Sequence, residues 1–162
     1  MLKKIGMSML STTILLSSSF VLGERTSAAT DFSVTYYKEW EPNNTLKTAD
    51  DIGLDGMVLG TLDENDLEGV DIFKLVPKRT NIANFHLWWK SKNAYDLTLL
   101  DENGNTLVIS DRNIVNSRNI YYKVKEGITY YIKIKANKIY GIDNSYELGV
   151  WSEGNYTPPK DK

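Results

Sequence analysis

Between Met57 and Trp151 the apolar residues fall into short runs broken by Gly, Asn and Asp, and within several runs they alternate with polar residues. Tyr130, Ile132 and Ile134, for example, are separated by Tyr131, Lys133 and Lys135. A period of two marks a strand with one face buried and the other wet. Strands are therefore expected over residues 57–62, 71–76, 83–90, 95–100, 106–110, 119–124, 129–136 and 145–151. No stretch carries a comparable helical stripe. Residues 45–52, with Leu46, Ala49 and Ile52, form one weak helical candidate of a turn or two. Asp101-Glu102-Asn103-Gly104-Asn105 reads as a hairpin turn, because Asn-Gly supplies the positive φ angles that tight hairpins need, and Lys125-Glu126-Gly127 plays the same part before Ile128. The fold class that follows is all-β, an antiparallel β-sandwich or jelly roll of about eight strands, since a parallel fold would require helical crossovers.

The N-terminal part is different. Met1-Leu2-Lys3-Lys4 precedes a largely apolar stretch from Ile5 to Leu22, and Ser27-Ala28-Ala29 follows, the layout of a secretory signal peptide cleaved after Ala29. Serines and threonines dilute the apolar stretch below what a retained membrane span needs. The expected organisation is a signal peptide over 1–29, an extended leading segment over 30–56 with room for a short helical turn, a sandwich over 57–151 and a flexible tail over 152–162. Once the signal is removed, 133 residues remain, the size of one domain with a single core. They carry 16 basic against 20 acidic residues, and this negative balance argues against nucleic acid as a partner. The expected location is extracellular, with no stable membrane anchor after cleavage. The chain has no cysteine, so no disulfide restrains the unfolded chain in a compartment that permits one, and a bound metal is the usual supplement.

Catalytic chemistry has little to stand on. A single histidine, His86, lies inside the apolar run Asn84-Phe85-His86-Leu87-Trp88-Trp89 and reads as a residue packed on a sheet face. A cysteine nucleophile is excluded, a Ser/His triad would rest on that one histidine, and a zinc site of the usual His/Cys kind lacks ligands. Carboxylates remain. Asp101, Asp111 and Glu126 sit beside turn residues, where solvated acids are common, and no catalytic residue is assigned.

An oxygen-rich stretch is more informative. Glu39, Glu41 and Asn43 alternate in Glu39-Trp40-Glu41-Pro42-Asn43-Asn44, so an extended chain, favoured by Pro42, would turn them to one side. Asp63, Asp66, Glu68 and Asp71 form a second acidic group before the run Ile72-Phe73-Lys74-Leu75. Hard oxygens converging in this way suit Ca²⁺, which takes six to eight of them, so the two groups would have to meet in space. The alternative reading is a polar leading segment and an acidic turn. Trp88 and Trp89 are adjacent, so a strand points them to opposite faces, and an outward Trp is a contact for a polymer or protein.

Several of these residues in series resemble a known family. Glu41-Pro42-Asn43-Asn44, Ala49-Asp50-Asp51-Ile52, Val58-Leu59-Gly60-Thr61-Leu62 and Val70-Asp71-Ile72-Phe73-Lys74-Leu75 resemble, in order, the opening of the bacterial pre-peptidase C-terminal domain. Tyr95 to Asn105 resembles its central hairpin, and Tyr130-Tyr131-Ile132-Lys133-Ile134 with Ser145 to Val150 its last two strands. The family is a β-sandwich appended to secreted peptidases and related to the collagen-binding domains of bacterial collagenases. The resemblance implies a structural Ca²⁺ held by Glu39, Glu41, Asn43 and Asp71, completed by Glu68 or Asp66. Collagen binding is not expected, because Lys133 and Lys135 occupy much of the face that is aromatic in the collagen-binding relatives. The expected function is a secreted, free-standing, calcium-stabilised binding or accessory module for an extracellular protein or polysaccharide. The alternatives are an inhibitor or accessory subunit of a secreted peptidase and a small carboxylate-dependent hydrolase.

Overall fold

The alternation resolves into ten strands in a computed structural model that describes residues 33–62, 69–112, 115–138 and 143–153. The expected signal peptide, the tail beyond residue 153, and Asp63, Asp66 and Glu68 lie outside the described residues. The strands are β1 (Thr35–Tyr37), β2 (Asp50–Ile52), β3 (Gly56–Thr61), β4 (Val70–Leu75), β5 (Asn81–Trp88), β6 (Ala94–Leu100), β7 (Thr106–Ile109), β8 (Ser117–Val124), β9 (Tyr130–Lys138) and β10 (Ser145–Ser152). Sheet A has the order β1-β3-β10-β5-β8, and sheet B the order β2-β4-β9-β6-β7. The all-β sandwich expected from the sequence is borne out.

The inward positions of the two sheets make the core. Val58, Phe85, Leu87, Leu148 and Val150 of sheet A face Phe73, Leu75, Leu97, Leu99, Ile132 and Ile134 of sheet B, all of them fully buried. Each such side chain contributes about 1.5–3 kcal/mol relative to exposure. Trp88 and Trp89 part as the strand period requires. Trp89 turns inward, its indole N–H donating to the Asn93 carbonyl at 2.7 Å and its ring 5.1 Å from that of Tyr95. Trp88 stays half-buried on the outer side of β5.

Two expectations are corrected. Residues 45–52 are not helical: the Thr45 and Thr48 hydroxyls and backbone close a turn over 45–48, and Asp50–Ile52 continues as β2 beside β4. The threonine side chains compete for the backbone groups that a helix would use. The leading segment is also not merely extended, since it supplies β1 and β2, each paired in parallel, β1 with β3 and β2 with β4. Those parallel pairs need no helix, because the chain crosses to the opposite sheet between partners. Residues 38–49 thus pass from the edge of sheet A to the edge of sheet B. The Asp101 hairpin forms as read: Asp101 Oδ1 accepts from the Asn103 and Asn105 amides, and Gly104 has φ 82°.

A polar clamp fixes the β2–β3 turn to the end of β10. Asp55, at φ 61°, accepts from the Ser152 amide at 2.9 Å and from Arg79 at 3.0 Å, and the Ser152 hydroxyl lies against both carboxylate oxygens. Asp55→Ala is expected to cost about 1–3 kcal/mol in urea unfolding, because the largely buried Ser152 amide loses its acceptor. Asp55→Asn keeps an acceptor and the tolerance for positive φ, and is expected to lose less than half as much.

Candidate functional site

Asp71 occupies an inward position on β4, in line with Phe73 and Leu75, so the strand period carries a carboxylate between the sheets. It is 2% exposed. Opposite it, Tyr146 occupies the inward position on β10 before Leu148 and Val150 and is equally buried. The Tyr146 hydroxyl contacts Asp71 Oδ2 directly and Glu39 Oε1 at 2.5 Å. The other Glu39 oxygen accepts from the Thr61 amide at 2.8 Å, which ties the crossing segment to the end of β3. Glu41 completes the cluster. One carboxylate oxygen from each of Glu39, Glu41 and Asp71 lies within 4.8 Å of the others, with Glu39 half-buried and Glu41 exposed.

The local backbone arranges this convergence. The Glu41–Pro42 peptide is cis. Asn43 is fully buried, its carbonyl accepts from the Ile72 amide at 2.9 Å, and its own amide donates to Glu41 Oε2 at 3.1 Å. Its side-chain Nδ2 points to Asp50 Oδ2 at 3.5 Å, and Oδ1 has no hydrogen-bond partner. Asp50 also accepts from the Trp40 amide at 2.7 Å, holding the segment against β2.

Gly60 makes the arrangement sterically feasible. It is directly across from Tyr146 in the β3–β10 register, and a Cβ there would lie 2.4 Å from the Tyr146 ring and 2.6 Å from Glu39 Oε1. The tyrosine ring covers the missing side chain, as aromatic neighbours of strand glycines do.

The electrostatics are unbalanced. Burial raises the Asp71 pKa to about 8; the Tyr146 hydrogen bond opposes this, and the Glu39 and Glu41 charges add to it. Burial, followed by the Asp71 and Glu39 charges, pushes the Tyr146 hydroxyl well above the ordinary phenol value. A phenol carries one proton and can donate to one carboxylate at a time. Two carboxylates on one hydroxyl therefore require either an added proton, which the raised Asp71 pKa supplies, or a cation. The donors are all hard oxygens: three carboxylates and the orphaned Asn43 Oδ1. That set is of the hard-oxygen kind Ca²⁺ takes and lacks the nitrogen and sulfur ligands usual for zinc, and its four residues supply fewer than the six to eight oxygens of a full calcium shell.

Four of the six residues singled out in the sequence are described. Glu39, Glu41 and Asp71 come together, and Asn43 is bonded to Glu41 beside them. Asp66 and Glu68 lie outside the described residues. Sequence reasoning missed Tyr146, Gly60 and Asp50. The first two have a cross-strand signature, a glycine opposite a tyrosine, which is visible only once register is known. Of the turn acids, Asp101 is occupied in its own turn.

The two-sheet sandwich, with Asp71 buried beneath Glu39 and Glu41 at one end, can be compared with known folds. Among solved structures, the pre-peptidase C-terminal domain of collagenase from Bacillus anthracis is similar, with a TM-score of 0.52 and 22% sequence identity over 63% of this chain and 93% of that one. The fold is that of this domain. A β-glucosidase from Paenibacillus barengoltzii matches with a TM-score of 0.32 and 12% identity over 72% of this chain and 13% of that one, too weak to support any inference. No family model matches the sequence, and no curated protein does.

Two outcomes are expected from the site. Without metal, Asp71 is protonated in the folded state well above its unfolded pKa. Its contribution to stability is therefore full below about pH 4 and is lost as pH rises through about 8. Urea unfolding in EDTA should show this fall in stability, set against Glu39, Glu41 and Tyr146 as the facing groups. Gly60→Ala overpacks the Tyr146 contact and is expected to cost about 1–3 kcal/mol, read as a lower urea midpoint at unchanged slope.

Proposed function

We propose that the chain is a secreted, calcium-stabilised β-sandwich module that serves as a binding or accessory unit for an extracellular protein or polysaccharide. The observation that carries this reading is the meeting of Glu39 and Glu41, from the crossing segment, with Asp71, from the interior of sheet B. A Ca²⁺ held there by Glu39, Glu41, Asp71 and Asn43 Oδ1, with Asp66 or Glu68 completing the set, would neutralise a carboxylate surplus that Tyr146 alone cannot. It would also fasten the segment joining the two sheet edges. Its chemistry is structural: charge neutralisation and cross-linking in a chain without cysteine. The N-terminal sequence supports export. Among the described residues, no helix is long and apolar enough to cross a membrane.

Similarity to a domain of a collagenase supports an accessory role, and it favours a second reading in which the module works beside a separate secreted peptidase. Co-purification from culture medium separates the two: a peptidase partner supports the second, and a lone module the first. Of the turn acids the hydrolase reading would use, Asp101 is already engaged, accepting hydrogen bonds from Asn103 and Asn105.

The metal clamp is tested by thermal melts of the protein in EDTA, in millimolar calcium and in millimolar magnesium. Calcium at about 100 times its dissociation constant adds about 2.7 kcal/mol, so the melting temperature should rise in calcium and not in magnesium. Asp71→Ala should abolish the calcium increment and Glu41→Gln should shrink it, whatever each does to the melt in EDTA. An equal calcium shift in wild type and Asp71→Ala would remove these residues as ligands. No shift in wild type would remove the clamp.

A further inference from the structure

The outer faces of the two sheets differ in how much charge they carry. On sheet B, the outward positions of β4, β6 and β9 carry Lys74, Asp96, Lys133 and Lys135. On sheet A, the charged outward positions of the strands are Glu147 and Lys123 alone, and aromatic rings take the place of charge.

Register lays sheet A's face out in rows. In one row Leu59, Glu147, Trp88 and Ser117 are neighbours across β3, β10, β5 and β8. In the next lie Met57, Gly149, His86 and Asn119, and in the third Trp151, Asn84 and Tyr121. Trp151 folds back over Gly149, where a Cβ would meet its indole at 2.4 Å, and at 7% exposed it is a covered floor and not a stacking ring, which leaves Trp88 and Tyr121 as the rings this face offers. Tyr121 is 67% exposed and Leu59 61%. The first row opens into a groove of about 290 Å³ walled by Thr61, Lys90 and Ser145 as well as Leu59, Trp88 and Glu147.

A second, independent observation lies in the third row. Asn84 is 3% exposed, and its Nδ2 donates to the Tyr121 hydroxyl at 3.3 Å. Its Oδ1 has no hydrogen-bond partner, although it is outward on the sheet and beside an exposed ring. A buried amide oxygen left unpaired costs about 1–3 kcal/mol and asks for a donor.

We propose that this face, from the Trp88 groove to Tyr121, binds an uncharged polysaccharide chain. The proposal rests on the binding-module reading above and names its site and ligand class. Sugar rings present C–H faces that stack on aromatic rings, and rim hydroxyls that both donate and accept. Here Trp88 and Tyr121 flank a polar row in which His86 Nε2 is bonded to Ser117 Oγ at 3.0 Å and Asn119 lies beside it, so rings stacked at the two ends would keep their hydroxyls near Asn119. Four strand positions separate Trp88 from the level of Tyr121, about 14 Å, which suits a chain and exceeds a single ring. Charge decides against the other polymers. Glu147 and Lys123 balance, the exposed Lys90 lies over the Trp88 ring at 5.4 Å and would swing aside for a sugar stacked on that face, and a polyanion would find more lysines on sheet B. A protein hot spot favours a contiguous, desolvated apolar centre, and the polar row interrupts one here.

Native gel electrophoresis of the protein through hydroxyethyl cellulose, galactomannan or mixed-linkage β-glucan tests the proposal, with polygalacturonate and gelatin as the charged and protein probes. At least one neutral polymer should retard the protein. Trp88→Ala and Tyr121→Ala should each weaken that retardation at least about tenfold, the scale of one lost aromatic anchor. Tyr121→Ala serves as the second variant because its ring is mostly exposed, and thermal melts identify any variant that fails to fold. Lys133→Ala should leave the retardation unchanged. Neutral-polymer retardation that survives both aromatic variants overturns the site. Retardation by polygalacturonate or gelatin alone overturns the ligand class but leaves the module reading standing. No retardation by any probe overturns the polysaccharide site, while the calcium melts judge the clamp separately.

Discussion

The end of the sandwich that carries the site is organised by one constraint: an inward strand position holds an aspartate. Phe73 and Leu75 share that face of β4, so Asp71 cannot reach solvent without breaking the strand period. A buried carboxylate needs partners, and the hydroxyl of Tyr146 supplies one proton. Glu39 leans on the same hydroxyl, so polar demand exceeds donor supply by one. Other features of this end follow from that shortage. Gly60 has no side chain because the tyrosine ring and Glu39 fill the space. Asn43 holds the crossing segment to β4 through its carbonyl and keeps Oδ1 unspent. An apolar residue at position 71 would be simpler if stability alone were at stake, because burying ionic groups seldom adds net stability.

Much of the fold was legible because alternation survives wherever one face of a sheet is wet. The eight longer strands fall within a few residues of the stretches read from the pattern, and the Asp101 hairpin follows from its Asn-Gly. β1 and β2 were not legible, since each has three residues, too few to show a period, and each forms by pairing with a strand remote in sequence. Leu46, Ala49 and Ile52 suggested a helical turn, but Thr45 and Thr48 close a hydroxyl-bonded turn and Ile52 enters the core from a strand. Local spacing cannot weigh a tertiary partner against a propensity.

The site was half legible for a related reason. Glu39, Glu41 and Asn43 stood out as oxygen donors in one short stretch, and Asp71 through its place before an apolar run. Tyr146 looked like any strand tyrosine, and its role depends on standing across from Gly60, a fact of register between strands some 85 residues apart in sequence. The aromatic face was legible only in part. Trp88 could be turned outward from its neighbour Trp89, but Tyr121, Asn84 and Trp151 join it through pairings of β5 with β8 and β10.

The proposed cation and polymer sites share a wall, and this has a thermodynamic consequence. Glu39 uses one oxygen on Tyr146 and the other on the amide of Thr61, while Gly60, Thr61 and Tyr146 also line the groove below Trp88. Whatever fixes the Glu39 carboxylate therefore fixes the backbone at the end of β3 and the tyrosine behind it. A cation at the carboxylates would reduce the conformational freedom of that wall before any polymer arrives, and a polymer seated against the wall would do the same for the cation. Coupling of this kind is reciprocal by necessity, so the factor by which one ligand tightens the other is a single number measurable from either side. Its size is set by how much freedom the wall has without the cation.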